Sequence, residues 1–365
     1  MKLPGYKYLH KIIIGLLTLI MAQSCISKSK SEFNSDLNDT PLKIRNVKYR
    51  DIPSSHVSES ADTLIVFHDI YPVGVRIFNG NIFIKAAMSD TCILVYDKES
   101  LSPIWKTGVK GNGPEDVLTP TFFASVNNDS LGRFQMTDVS DNSHIYIDPR
   151  TKELTKSRLP DYTGYSSSIN SLENYFIATK NTEECMFYIH NKDTKETLPV
   201  MFDIDCGQEV KSKLRGNIGY MLSAMTYANE DNNRIIVPHY FFDIYSVYDF
   251  SGRLLRKISL SEDYNEKTAA ENLLLDNGYI GFSPGFIDSK ACYLLRTYSS
   301  SSHGEAESMQ IVKTDWEGTP VMVYALDTPL TGEFCIYENK LYGIAKTPSQ
   351  DTETYALICW NLQKT

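Results

Sequence analysis

The chain has 365 residues, with 36 Lys and Arg against 45 Asp and Glu, and a formal net charge of −9. This negative balance disfavours generic binding to DNA or RNA. The length exceeds that of a usual single-core domain, yet no change in composition divides the chain, which favours an array of repeated units.

The first 24 residues have the layout of a secretory signal peptide. Lys2, Lys7 and Lys11 precede an apolar run from Ile12 to Met21. The run is about ten residues long, whereas a membrane-spanning helix needs roughly twenty. We therefore predict a signal peptide over residues 1–24. Its removal leaves 33 Lys and Arg against the same 45 acids, a net charge of −12.

The residues around Cys25 indicate lipidation. Ala22 and Ser24 precede this cysteine, and the segment resembles the lipobox of bacterial lipoproteins. The resemblance implies lipid on Cys25, a membrane anchor and the envelope of a Gram-negative bacterium. In such lipoproteins, Asp after the cysteine favours the inner membrane, so Ile26 implies the outer membrane. The lack of acidic residues over Ser27–Ser31 favours the periplasm-facing leaflet of that membrane. The alternative is an ordinary signal peptide with a chance cysteine.

Residues 25–60 are predicted to be a lipidated flexible tether, because they are rich in Ser, Asn, Asp and Lys. Within this tether, residues 44–49 are expected to be an irregular segment that packs on the domain.

From residue 61 onward, short β-branched and aromatic runs recur between turn signals. A strand that ends in an acidic, amide or His residue returns about every fifty residues, a period typical of four-stranded propeller blades. In two of the following turns, Gly252 and Gly318 stand where positive φ is easiest for glycine.

We therefore predict an all-β fold over residues 61–365, a six-bladed β-propeller. The sixth unit lacks its outer strand, and Thr63–His68 can supply it as an N-terminal closing strand. A seven-bladed propeller or a pair of β-sandwiches fits the period less well.

The segment Gly111-Asn-Gly-Pro-Glu-Asp116 is a predicted structural turn with Gly111, Gly113, Pro114 and Glu115 as its motif. It resembles the Gly-x-Gly-Pro-Gly-Glu signature of the TolB-like six-bladed β-propeller lipoprotein family. Glu115 stands where that family has glycine, and Asp116 where it has glutamate. The resemblance implies a fold and a compartment more than an activity.

The sequence gives little support for a catalytic site. Gly281-Phe-Ser-Pro-Gly285 fits a serine-hydrolase pattern, but Pro284 lacks the amide that an oxyanion hole requires. The seven histidines are scattered and none forms a His-Glu-x-x-His pattern, so we predict no metal site, no cofactor and no catalytic residues. The six cysteines after Cys25 are expected to be buried thiols.

Superposing the six units places one polar residue at the end of each second strand. These residues are Lys85, Thr137, Lys180, His239, Arg296 and Lys346. In a propeller such positions form a ring around the channel mouth. A cationic ring without carboxylates would attract an anion, with Tyr240 and Tyr298 as apolar platforms. The alternative is that these cations only mark solvated strand ends.

The sequence thus predicts a membrane-tethered periplasmic binding or scaffolding propeller rather than an enzyme. Its expected partners at the channel face are a protein or an anionic glycan. The alternative is a metal-dependent propeller lyase or lactonase, which would need Asp138, Asp141, Glu183, Glu184 and His239 to converge on the axis.

Overall fold

The computed structural model describes residues 45–56, 61–111, 113, 115–124, 131–159, 168–179, 185–213, 218–301, 307–347 and 354–362. The signal peptide, Cys25 and the first part of the predicted tether lie outside these residues. None of the helices described here is long and apolar enough to cross a membrane.

Six antiparallel sheets of four strands form a ring, which confirms the predicted six-bladed propeller. The strands of blades 1 to 3, from the channel outward, are β4 (Tyr71–Phe78), β5 (Asn81–Ala87), β6 (Thr91–Asp97) and β7 (Pro103–Val109); β8 (Pro120–Phe122), β9 (Phe134–Asp138), β10 (Ser143–Ile147) and β11 (Leu154–Arg158); and β12 (Ser168–Ser171), β13 (Tyr175–Thr179), β14 (Phe187–Asn191) and β15 (Thr197–Val200).

Blades 4 to 6 follow the same order. Their strands are β16 (Tyr227–Asn229), β17 (Arg234–Pro238), β18 (Tyr245–Tyr248) and β19 (Leu254–Ser259); β20 (Tyr279–Ile287), β21 (Cys292–Ser299), β22 (Ser308–Thr314) and β23 (Pro320–Leu326); and β24 (Cys335–Tyr337), β25 (Lys340–Thr347), β26 (Thr354–Asn361) and β3 (Asp62–Phe67).

The N-terminal strand closes the ring as predicted. β3 pairs antiparallel with β26, and Phe67 lies opposite Tyr355. Its pairing supplies the backbone partners that the outer edge of β26 would otherwise lack.

Residues 45–56, which we predicted as part of the tether, pack on the propeller, although we expected such packing only for residues 44–49. β1 (Arg45–Asn46) adds in parallel to β19, and β2 (Ser54–His56) adds in parallel to β23, with a 3₁₀ turn at Tyr49–Asp51 between them. Ile52 is 6% exposed in the core shared by blades 4 and 5. The folded part therefore begins earlier than residue 61, because this short segment carries apolar side chains that the edges of two blades can bury.

Three helices lie in the connections between blades. α1 (Gly207–Lys213) and α2 (Ile218–Met221) join blade 3 to blade 4, and α3 (Glu266–Leu274) joins blade 4 to blade 5. The Asn265 side chain accepts the Thr268 N–H at 3.0 Å and so caps the N-terminus of α3.

Each blade core is built from the alternating inward side chains of its strands. The six described cysteines, Cys92, Cys185, Cys206, Cys292, Cys335 and Cys359, are all buried. Gly252 (φ 77°) and Gly318 (φ 78°) occupy the predicted hairpin turns. The strand directions define two faces of the propeller. We call the face where the second strands end the upper face, and the face of the hairpins between first and second strands the lower face.

Candidate functional site

The predicted ring positions lie at matching heights on the upper face. Lys85, Thr137, Arg296 and Lys346 are in the last part of the second strands of blades 1, 2, 5 and 6, and His239 directly follows the second strand of blade 4. Lys180 lies outside the described residues.

Lys85 has a carboxylate partner. Its ammonium group donates to Glu333 Oε1, and both side chains are 11% exposed. Glu333 lies two residues before β24 and pairs through its backbone with β4. Its carboxylate is shared by two cations, since its Oε2 lies 3.5 Å from Arg76 Nη2.

Arg76 occupies the channel beneath this pair. The residue is 1% exposed, and its guanidinium donates to Phe334 O at 2.7 Å and to Phe123 O at 2.9 Å. Arg76 Cζ lies 5.2 Å from the ring centre of Phe122 and 5.6 Å from the ring centre of Phe286. Because these partners come from blades 2, 5 and 6, Arg76 fills the channel and joins the blades around it.

Arg296 is also paired. Its Nε and Nη2 donate to the two carboxylate oxygens of Asp243 at 2.7 Å each, and its Nη1 donates to Gln310 Oε1 at 3.0 Å. The Arg296 and Asp243 side chains are 14% and 3% exposed. This bidentate geometry fixes the guanidinium and compensates its charge.

His239 belongs to a buried polar group. Its Nε2 lies 3.3 Å from Asp203 Oδ1, and the imidazole is fully buried. Lys257 Nζ donates to Asp203 O at 2.5 Å and to Glu266 Oε1, and Ser246 Oγ donates to Asp203 Oδ2. Burial alone would raise the pKa of Asp203, but the surrounding His239, Lys257 and Ser246 hold this pKa below its usual value.

The upper mouth therefore differs from the expected ring without carboxylates. Glu333, Asp243 and Asp203 stand against three of the predicted residues, while Lys346 is exposed on β25. Superposing second strands missed these acids because they lie in connecting segments before and between strands.

Tyr240 and Tyr298 differ in their surroundings. Tyr240 is partly buried, and burial together with the Glu333 charge raises its pKa to about 12. Tyr298 is 42% exposed and lines two adjoining cavities of about 360 and 210 Å³. We call these two cavities the blade 4–5 cleft.

The turn motif is organised by Asp116. Its Oδ2 accepts the Gly113 N–H at 2.7 Å, and a Cβ on Gly111 would lie 2.3 Å from the same oxygen. A side chain at Gly111 would therefore displace the Asp116 carboxylate from this turn. Glu115 is exposed, and Pro114 lies outside the described residues.

The carboxylates proposed for a metal enzyme do not converge where they are described. Asp138 accepts the backbone N–H groups of Leu118 and Thr119, and both Asp138 and Asp141 pair with Lys156 of blade 2. His239 lies instead beside Asp203. No group of three His, Cys, Asp or Glu that could hold a metal ion occurs among the described residues. Glu183 and Glu184 lie outside them.

A larger cavity, which the sequence did not predict, opens at the lower mouth of the channel. It measures about 830 Å³ and is lined by segments of blades 1, 3, 4, 5 and 6. Among the described residues, its lining contains four carboxylate side chains and no Lys or Arg; the acids are Glu173, Glu230, Asp231 and Asp288.

The walls of the lower cavity combine apolar surface with fixed polar groups. Phe286, Tyr337 and Trp316 are part of the lining. Glu230 is held by the Asn174 N–H at 3.2 Å, and Asp288 Oδ1 accepts the Ala291 N–H at 2.8 Å. Among the described contacts, the buried Trp316 Nε1 has no hydrogen-bond acceptor.

A basic side chain approaches the lower cavity from its rim. Lys192 Nζ donates to Leu172 O and lies 4.3 Å from the Phe176 ring centre. Burial lowers the pKa of Lys192, against the opposing effect of Glu230 and Glu173. Lys98 also lies 5.2 Å from the ring centre of the lining residue Tyr337, where it pairs with Glu99 and Glu338. The four carboxylates of the described lining therefore keep the cavity negative. Superposing the hairpins between first and second strands would have revealed these acids.

No protein-family model matches the sequence, and no curated protein matches it significantly. Two solved structures share the fold. A DUF4221 family member from Bacteroides vulgatus ATCC 8482 has a TM-score of 0.52 at 11% identity, covering 84% of this chain and 98% of its own. A Bacteroides fragilis NCTC 9343 protein named "Putative exported protein" has a TM-score of 0.50 at 14% identity, covering 86% and 99%. At these identities the similarity establishes the fold alone.

Proposed function

We propose that this protein is an exported, lipid-anchored binding propeller whose lower cavity receives a lysine- or arginine-bearing segment of a partner protein. The observation that carries the proposal is the 830 Å³ cavity on the propeller axis, whose described lining residues include four carboxylates and no Lys or Arg. A large concave site with a few convergent polar groups is the first candidate for ligand binding.

The electrostatics favour a cationic ligand. Acidic side chains around a concave opening focus a negative potential, and this potential raises the local concentration of cations. Phe286 and Tyr337 offer apolar surface to the methylene groups of Lys or Arg. An anion at the upper mouth is less favoured, since Lys85 and Arg296 already have carboxylate partners.

The export part of the proposal rests on the N-terminal sequence. The charged start, the apolar run and Cys25 support a signal peptide followed by lipidation. The name of the Bacteroides fragilis neighbour agrees with export. A lipid on Cys25 would anchor the propeller to the outer membrane on its periplasmic side.

Binding of fluorescein-labelled hexalysine to the full chain in detergent, followed by anisotropy, tests the proposal. We expect saturable binding that weakens with added salt. The double variant Glu173→Gln/Asp231→Asn removes two exposed lining charges and should weaken binding roughly tenfold.

The matched control removes two exposed charges from the upper face, in the double variant Asp90→Asn/Glu271→Gln. It has the same net charge as the test variant and should bind as the native protein does. Equal weakening in both variants would mean that hexalysine responds only to net charge, and the proposal would fail.

A further inference from the structure

The geometry points to a second binding site: we infer that the blade 4–5 cleft on the upper face binds a neutral oligosaccharide. This site is separate from the lower cavity: it lies at the opposite ends of blades 4 and 5 and has different side chains and chemistry.

Tyr298 gives the cleft its shape. Both cavities of the cleft are lined by Tyr298 and Ile280, so the exposed tyrosine stands where the two compartments meet. Tyr279 and Phe241 line the larger compartment, and their rings pack edge to face at 5.1 Å. An exposed aromatic face beside a polar pocket suits the apolar face of a sugar ring.

The polar groups of the cleft are held in fixed positions. Arg296 and Gln310 lie opposite each other on β21 and β22, and Arg296 Nη1 donates to Gln310 Oε1. Since the oxygen of that amide is engaged, its N–H groups are the part that a sugar hydroxyl can use. Asn272 and Asn277 add amide groups on the other side of Tyr298.

The larger compartment also contains a buried hydroxyl without a partner. Tyr264 lines this compartment, and its hydroxyl oxygen has no hydrogen-bond partner among the described residues. An unsatisfied buried hydroxyl costs free energy that a ligand hydroxyl would recover.

The charge balance selects a neutral ligand over an anionic one. Among the described residues, the lining contains one cation, Arg296, and two carboxylates, Asp243 and Asp263. The bidentate pair with Asp243 compensates the Arg296 charge, which leaves no unpaired positive charge there for a uronic acid or a phosphate. Neutral hydroxyl groups match the amides and the compensated pair instead.

Saturation-transfer NMR on the full chain in detergent tests this site with four probes: maltotriose, cellotriose, chitotriose and mannotriose. We expect transfer to at least one of them. Tyr298→Ala should weaken that binding about tenfold through loss of the stacking surface. Tyr298→Phe keeps the ring and should retain binding, which shows that the effect comes from stacking.

Three results would overturn the inference: transfer to none of the four probes, binding by Tyr298→Ala equal to the native protein, or equal loss in Tyr298→Phe. Unchanged thermal unfolding of Tyr298→Ala shows that the variant is folded, as expected for a side chain that is 42% exposed. The lower-cavity variant Glu173→Gln/Asp231→Asn should bind the sugar normally, so failure at one site is distinguishable from failure at the other.

Discussion

The Arg296 guanidinium and the Asp243 carboxylate form two parallel hydrogen bonds of 2.7 Å across the boundary between blades 5 and 4. Asp243 also accepts from Ser261 Oγ, in the segment that leads to α3. The pair therefore joins two blades and fixes one wall of the blade 4–5 cleft.

Breaking this pair from one side should destabilise the fold. Asp243→Ala leaves the 14%-exposed guanidinium without its carboxylate, and we expect a loss of ~3 kcal/mol in the free energy of unfolding. Urea denaturation measures the loss. The exposed Asp263→Ala serves as control and should change stability by less than about 0.5 kcal/mol.

The double variant Asp243→Ala/Arg296→Met separates ion-pair energy from the cost of an orphaned charge. It should recover part of the lost stability, because no buried charge is then left unpaired. A double variant that loses as much stability as the two single variants together would contradict this assignment.

Arg76 should be a stronger determinant of stability than any exposed arginine. Arg76→Met removes donors from Phe123 O and Phe334 O and leaves these buried carbonyls unpaired, so we expect a loss of ~3 kcal/mol or more. Arg253→Met, at a side chain that is 63% exposed, is the control. Equal midpoints of denaturation for the two variants would exclude a central role of Arg76.

His144 should make stability depend on pH. Burial, with a smaller effect of Lys192, lowers its pKa from 6.5 to about 4. As pH falls from 6.5 towards 4, the unfolded chain takes up a proton that the native chain does not, so stability falls over this window. The contribution is up to ~3 kcal/mol and is fully present above pH 6.5.

The variant His144→Phe isolates this effect from the carboxylates that titrate nearby. It replaces the imidazole among Phe123, Tyr146 and Phe176 with an apolar ring. Its unfolding free energy should decline less than that of the native protein between pH 6.5 and 4.5. Parallel pH profiles would show that folding does not shift the pKa of His144, which would contradict this prediction.

The fold was predictable because its signals are local. Strand-length apolar runs, turn glycines such as Gly252 and the spare strand near Thr63 identify the blades and their closure. The ion pairs could not be predicted from the sequence. Lys85 and Glu333, for example, are 248 residues apart and meet only when the ring closes. The lower cavity was missed because its acids occupy hairpins that were treated as turns only.

The segment before the closing strand should contribute to stability, although its composition resembles a tether. Ile52 is buried against the core of blades 4 and 5, and Ile52→Ala should cost ~2 kcal/mol. Ser54→Ala, two residues on in β2, is a mild control. An unchanged denaturation midpoint for Ile52→Ala would show that this segment does not stabilise the propeller.

The most direct test of the proposed function is to map where a cationic peptide sits. Hexalysine with a benzophenone at its N-terminus can be cross-linked to the full chain in detergent, and the adducts located by mass spectrometry. We predict adducts on the lower cavity, at residues such as Asn229, Ile287 and Tyr337. Glu173→Gln/Asp231→Asn should lose them. Adducts confined to upper-face residues such as Met88 or Tyr298 would contradict the proposed function.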